Sequence, residues 1–308
     1  MGIYQIGELI RMSREQQGMT QEELCENVCS VENLSRIENG RVQPNRNTFR
    51  ELMKKLQKSG ELYQPYIVGM DIESHMLKNE ITQLLAVHKY REGLEVLKQL
   101  TEKLDMTNKY NKQFILRAEA WAKAKIGEYT REEERERLTE ALRCTIPQYQ
   151  EEILPKGLLS RHEILIFSNI ATSYAEEGEL EKAIVMLKQA EQYFKTIQVD
   201  YKERSKSEVM ILSNLIRCLG RMGYYEETKI RGEELKKKCL NYGNSRHLGG
   251  ILYGIAFDKE QLGESQEECK KTMIQAYYVA RLNKNTVLME NVKKHVQEIY
   301  EENFLEGI

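Results

Sequence analysis

The residues best equipped for chemistry fall into two sets. The first is a group of arginines, Arg11, Arg14, Arg36, Arg41, Arg46 and Arg50, all within the first 50 positions. A guanidinium is a permanently charged planar fork of donors, suited to phosphates and to guanine edges. The second is Asn79, Asn169 and Asn214, far apart in the chain. Each amide carries a donor and an acceptor, so it can clamp a peptide group whatever the side chains around it. No comparable set exists for catalysis. The five histidines (His75, His88, His162, His247, His295) are scattered, and HExxH, GxSxG, P-loop and GxGxxG patterns are missing. Ser160, His162 and Glu163 lie too close on one stretch to form a triad. Cys25 and Cys29 are four apart, but no histidine lies nearby to complete a metal site, and Cys25 reads as a buried structural thiol. The expectation is no enzyme, no metal and no cofactor.

Composition narrows the class. The 308 residues carry 46 Lys plus Arg against 48 Asp plus Glu, a net charge of -2, with 41% hydrophobic and 31% charged residues. That balance is too apolar for disorder and excludes a broadly basic nucleic-acid binder, so any such contact must come from a local patch. No run of 18 apolar residues suggests a membrane span, and charges interrupt the N-terminal apolar stretch, which argues against a signal peptide. Six cysteines without a signal read as reduced thiols and imply a cytoplasmic location. The four prolines (Pro44, Pro65, Pro147, Pro155) leave the last 153 residues proline-free. Strand alternation is nearly absent, so the chain reads as all-α. Ser59 to Asp71, with Gly60, Pro65 and Gly69, is the best linker, giving domains 1–66 and 67–308.

In the first domain, Ile3, Ile6, Leu9 and Ile10 form the apolar face of a helix over Tyr4 to Gln17, closed by Gly18. Thr20 and Glu23 form a capping box for a second helix, Gln21 to Val28, with Leu24 and Val28 inward. Ser30 caps a third helix, ended by Asn39-Gly40, and Phe49, Leu52, Met53 and Leu56 form the core face of a fourth. Two short helices joined by a tight turn and braced on both sides make a helix-turn-helix. TQEELCENVCSVENLSRIENG resembles the core of the Xre/Cro family of DNA-binding domains, with a turn at Cys29-Ser30 one residue shorter than usual. The resemblance implies that the third helix enters the major groove. It puts Gln21 at a phosphate contact, where a helix N-terminus favours an anion. Val31, Glu32 and Arg36 fall at base-facing positions, with Ser30, Asn33 and Ser35 beside them, and Asn39 and Arg41 at backbone contacts. It makes Arg14 and Glu38 a structural ion pair. Against this, residues 1–66 hold nine basic and nine acidic residues.

The remaining chain repeats. From Ile164 onward, Ile170, Ala171, Tyr174, Gly178, Ala183, Leu187 and Ala190 have the spacing of a tetratricopeptide repeat. The turn recurs at Gly223 and Gly263, and upstream near His88 and Tyr129. The spacings, between 40 and 49 residues, exceed the usual ~34, so the helices are lengthened. Five units and a final helix, Thr286 to Glu302, should form a right-handed superhelix with a concave face. Aligned on their turns, the units place Asn79, Ala120, Asn169, Asn214 and Gly254 at one inward position. Lys78, Lys123, Arg217 and Arg221 neighbour it as cations for a carboxylate, and Tyr253 and Phe257 offer a side-chain pocket. The run Arg131 to Arg137 reads as a solvated helix face.

A helix-turn-helix of this kind fused to such repeats resembles the RRNPP regulators, the Rgg- and PlcR-like peptide-pheromone receptors. The resemblance implies a homodimeric cytoplasmic transcription factor that binds double-stranded DNA and a short signalling peptide held by the inward asparagines, with no membrane role. Two alternatives remain: repeats that bind a protein partner, and a repeat adaptor or phosphatase modulator that does not bind DNA.

Overall fold

A computed structural model describes residues 6–42, 44–56, 72–156, 159–196 and 201–300. Among them are fifteen α-helices and no strand. The chain forms two compact units, Met1–Lys112 and Gln113–Ile308. The linker expected at Ser59 to Asp71 and the boundary after residue 66 lie outside the described residues.

In the first unit α1 (Ile6–Gln16), α2 (Gln21–Cys25), α3 (Val31–Glu38) and α4 (Arg46–Lys55) surround one core. Ile10, Leu24, Leu34, Ile37, Leu52, Met53 and Leu56 are buried there, with Cys25 among them and Phe49 and Val28 packed on the edge. Each fully buried aliphatic side chain contributes about 1.5–3 kcal/mol. Ile3 and the side chains of Ile6 and Leu9, expected on this face, lie outside the described residues. Local signals place the helix starts. Thr20 and Glu23 form the reciprocal capping box, and Ser30 Oγ accepts from the Asn33 N–H.

The second helix is shorter than expected, ending at Cys25 instead of Val28. Asn27 takes a left-handed backbone (φ 59), which breaks the helix before Val28. The carbonyls this frees are capped from α4, since Lys55 Nζ donates to Glu23 O (3.0 Å) and Glu26 O (2.6 Å).

Five helical hairpins follow: α5 (Ile72–Ala86) with α6 (Tyr90–Lys103), α7 (Lys109–Lys125) with α8 (Arg131–Arg143), α9 (Arg161–Glu177) with α10 (Leu180–Thr196), α11 (Tyr201–Arg221) with α12 (Tyr225–Tyr242), and α13 (Leu248–Gln261) with α14 (Gln266–Leu282). α15 (Thr286–Tyr300) closes the series. A left-handed residue sits in each hairpin turn: His88, Gly127, Gly178, Gly223 and Gly263. The second turn therefore centres on Gly127, two residues earlier than the sequence alignment puts it. From α8 onward each helix packs on the next, and α9, α11, α13 and α15 also touch in succession. These helices form the more closely packed layer of the stack. Small residues allow the close approach: Ala171, Ala183, Ala190, Ala256 and Ala276 have no exposed surface.

Only part of the run Arg131 to Arg137 is a solvated face: Glu132, Glu133, Glu136 and Arg137 are exposed, while Arg131, Glu134 and Arg135 turn toward α9. Glu134 is buried, accepts hydrogen bonds from Ser173 Oγ (3.0 Å) and Arg131 (2.8 Å), and has its pKa raised by burial. Arg131 and Arg135 reach Glu176 and Glu177 on α9. These charges bolt α8 to α9, and sequence misses this because the partners lie some 40 residues away.

Gly7 gives the sharpest packing constraint. A β-carbon there would stand 1.9 Å from the Ile37 carbonyl oxygen, so α1 crosses α3 at backbone contact. Gly7→Ala should cost the N-terminal unit about 3 kcal/mol or more. Hydrogen exchange read by mass spectrometry should show α1 and α3 amides losing protection while α9–α14 amides keep theirs.

Candidate functional site

The helix-turn-helix exposes one face of α3. Leu34 and Ile37 point into the core, while Val31, Glu32 and Arg36 are exposed and Asn33 and Ser35 half-buried. Among the described residues the side chains of Glu32 and Arg36 have no hydrogen-bond or ion-pair partner. Asn39 Nδ2 donates to Ser35 O (2.8 Å), which closes the end of α3, and Arg41 is exposed just beyond it. The outward face thus carries an uncommitted guanidinium, a carboxylate and a small apolar side chain. Those groups can meet guanine, cytosine and a thymine methyl in a major groove.

Behind this face lies a polar hub. The Glu38 side chain is only 1% exposed. Its Oε1 accepts from Arg14 Nε (2.7 Å), and its Oε2 accepts from Arg14 Nη2 (2.9 Å) and Gln21 Nε2 (2.7 Å). Arg14 Nη1 also donates to Met19 O (2.9 Å), tying α1 to the start of the turn. Sequence reasoning names the Arg14–Glu38 pair but misses that Gln21 joins it. Residues that meet across three helices leave no mark in linear spacing.

The repeats hold the second group. Counted by a common offset from the left-handed turns, the equivalent positions are Asn79 in the first unit and Ala118, Asn169, Asn214 and Gly254 in the second. Ala120, expected in that row, leaves it because the turn is at Gly127, and both Ala118 and Ala120 are buried. Asn79 is exposed. Asn169 Oδ1 accepts from Arg117 Nε (3.2 Å), and Asn214 Nδ2 lies 3.2 Å from Ser168 Oγ. Arg117 can only donate, so it fixes the Asn169 oxygen and leaves the Asn169 NH2 for other acceptors. Arg217 is exposed and, among the described residues, has no ion-pair partner. Arg221 Nη1 donates to Ala175 O at the end of α9 (2.7 Å).

Other expected residues are placed differently. Lys123 pairs with Glu119 (2.6 Å) and stands over the Tyr129 ring, so its charge is already compensated. It also leaves the row of Arg217 and Phe257, where the corrected turn puts Trp121. Tyr253 and Phe257 are half-buried and pack edge-on against His295 of α15, with centroids 5.6 and 5.8 Å away. Phe257 also meets Tyr225. They form a wall between helices, and Gly254 beside them opens onto clear space. Lys78 is not a groove cation: it is buried, donates to Asn111 Oδ1 (3.0 Å), and burial lowers its pKa to about 8. Among the described residues no cluster of three or more His, Cys, Asp or Glu could hold a metal ion, and no helix is long and apolar enough to cross a membrane.

The family model of a helix-turn-helix domain matches residues 5–63. No curated protein matches the chain. Among solved structures, the chain is similar to Bacillus thuringiensis PlcR in complex with the peptide PapR7 and DNA, at 20% identity over 94% of this chain and 98% of that one, TM-score 0.68. ComR from S. thermophilus, in complex with DNA and its signalling peptide, aligns at 17% identity over 94% and 98%, TM-score 0.52. The Streptococcus dysgalactiae SHP pheromone receptor Rgg2 aligns at 16% over 96% and 99%, TM-score 0.51. The fold is therefore the one these structures share, a helix-turn-helix followed by a helical repeat array.

Lys78 supplies a pH test of the buried residues. A base whose folded pKa of about 8 lies below its ordinary 10.5 destabilises the fold at neutral pH, and this penalty is relieved as pH rises between those values. Lys78→Met should therefore be more stable than the parent at pH 7. Its advantage in chemical denaturation should shrink between about pH 8 and 10.5, with each pKa unit worth about 1.4 kcal/mol.

Proposed function

We propose that this chain is a cytoplasmic DNA-binding transcriptional regulator whose helical repeats bind a short signalling peptide and thereby control DNA binding. The observation that carries the reading is the outward face of α3. Val31, Glu32 and Arg36 stand exposed on a helix whose other side is core, and the charged pair has no partner of its own among the described residues, which leaves it available for base readout. The same chain carries Asn169 on α9 and Asn214 and Arg217 on α11, two helices of the repeats that touch each other. An extended peptide could meet Asn169 with a carbonyl oxygen, Asn214 with a peptide group, and Arg217 with a carboxylate. PlcR and ComR were crystallised with DNA and a peptide, and this supports the same pairing of partners here.

The mechanism would be linkage. A peptide that prefers one curvature of the repeats shifts the population of conformers, and a homodimer converts that shift into a changed spacing of two DNA-binding domains. Dimerisation also offsets the neutral charge of the first 66 residues. It doubles the number of arginines on DNA, so binding should weaken steeply with salt.

Selection from a randomised duplex pool with the full-length chain should enrich an inverted repeat. Arg36→Ala should weaken binding to the selected site by about 10- to 100-fold and relax the preference at one position per half-site. A pool that yields no enriched sequence, with or without a peptide fraction from producing cells, overturns the reading. On the peptide side, Asn169→Ala and Asn214→Ala should each weaken capture of an active peptide by about tenfold, measured by fluorescence polarisation, without changing the DNA affinity of the peptide-free chain.

A further inference from the structure

An amide side chain has two ends of nearly equal size and opposite chemistry, and its partners decide which end faces where. For Gln21 the partner is Glu38. Arg14 donates to both Glu38 oxygens, at 2.7 and 2.9 Å, so both oxygens act as acceptors. The Glu38 oxygens accept in all three of their hydrogen bonds. Glu38 Oε2, at 2.7 Å from Gln21 Nε2, therefore admits the NH2 end of Gln21 and repels the oxygen end. The amide cannot turn over without placing two oxygens against each other at 1% exposure.

We propose that Glu38, beyond its ion pair with Arg14, is the positioning residue that fixes the polarity of the Gln21 amide so that its second N–H serves a DNA phosphate. This rests on the DNA-binding reading. Gln21 is half-buried at the start of α2, so its amide reaches the surface while one hydrogen is committed inward. A phosphodiester oxygen only accepts, which matches the N–H that remains. Arg14 compensates the Glu38 charge, so the carboxylate does not repel the backbone it helps to recruit. The gain is preorganisation: an untethered glutamine would present its oxygen to the phosphate part of the time.

The test is a double-mutant cycle on the full chain, with a fluorescein-labelled duplex of randomised sequence at low ionic strength as the probe, since a phosphate contact does not depend on the operator. Gln21→Met removes the donor. Glu38→Gln keeps the length but offers an NH2 where Oε2 was. Arg14 claims the remaining oxygen, and Gln21 must turn around. We expect Gln21→Met to weaken binding by about fivefold and Glu38→Gln by about threefold. The double variant should bind no more weakly than Gln21→Met alone. Circular dichroism melts run beside the titrations confirm that each protein is folded. Should Glu38→Gln fail to fold, Glu38→Asp serves instead, because it keeps the charge near Arg14 but withdraws it from Gln21. Losses that multiply in the double variant, or a Gln21→Met chain that binds like the parent, overturn the proposal and leave Glu38 a structural residue. A parent chain that retains no duplex at all overturns the DNA-binding reading and the proposal with it.

Discussion

An amphipathic helix can hide its apolar stripe only against a neighbour, and in this chain the neighbour is nearly always the next helix in sequence. That constraint shapes the chain from α8 onward. Each helix must reverse direction at once, which puts a left-handed residue in every hairpin turn, glycine in four cases and His88 in the fifth. Close pairs need small residues at the crossing, hence the buried alanines of α9, α10, α13 and α14. The core is consequently a chain of local clusters, not one central mass. Stability in such an array is a sum of neighbour terms, and the inner surface it leaves open can vary without disturbing the packing behind it.

Buried polar groups then set the register. Glu38, Glu134 and Glu208 are nearly inaccessible, and each is met by a cation or hydroxyl from another helix. An unpaired carboxylate in these places would cost several kcal/mol, so each arrangement tolerates few alternatives. In the N-terminal unit this polar pairing combines with the backbone contact at Gly7 to hold α1, α2 and α3 as one body. The face of α3 is free to be exposed because the opposite side is so fully specified.

The same logic separates the two proposed sites. DNA recognition would use side chains on a short, rigid helix whose orientation is fixed from behind. Peptide recognition would use amides partly held by neighbouring repeats, Asn169 by Arg117 and Asn214 by Ser168. A ligand bridging α9 and α11 would pull on groups that already connect repeats. Such a site can report ligand binding as a change in how successive helices lie.

Much of this is legible in linear sequence. The capping boxes, the glycine turns and the 3.6-residue apolar periodicity are local events, so Thr20, Ser30, Gly178 and the core face of α4 can be placed from neighbouring residues alone. The class of fold and the order of its parts follow from those signals. What sequence cannot decide is which distant polar groups meet. Sequence alignment misplaces the second turn by two residues because it follows Tyr129 and passes over Gly127, the glycine that takes the left-handed backbone. That slip carries Ala120 and Lys123 into a row they do not occupy. Lys78 looks like a ligand cation and is buried, and Arg131, Glu134 and Arg135 look solvated and join two helices. Periodicity records the face a residue occupies on its own helix. Tertiary structure alone decides what lies opposite, because the free energy of a charged or amide side chain depends on its partners and its burial, and neither is local in sequence.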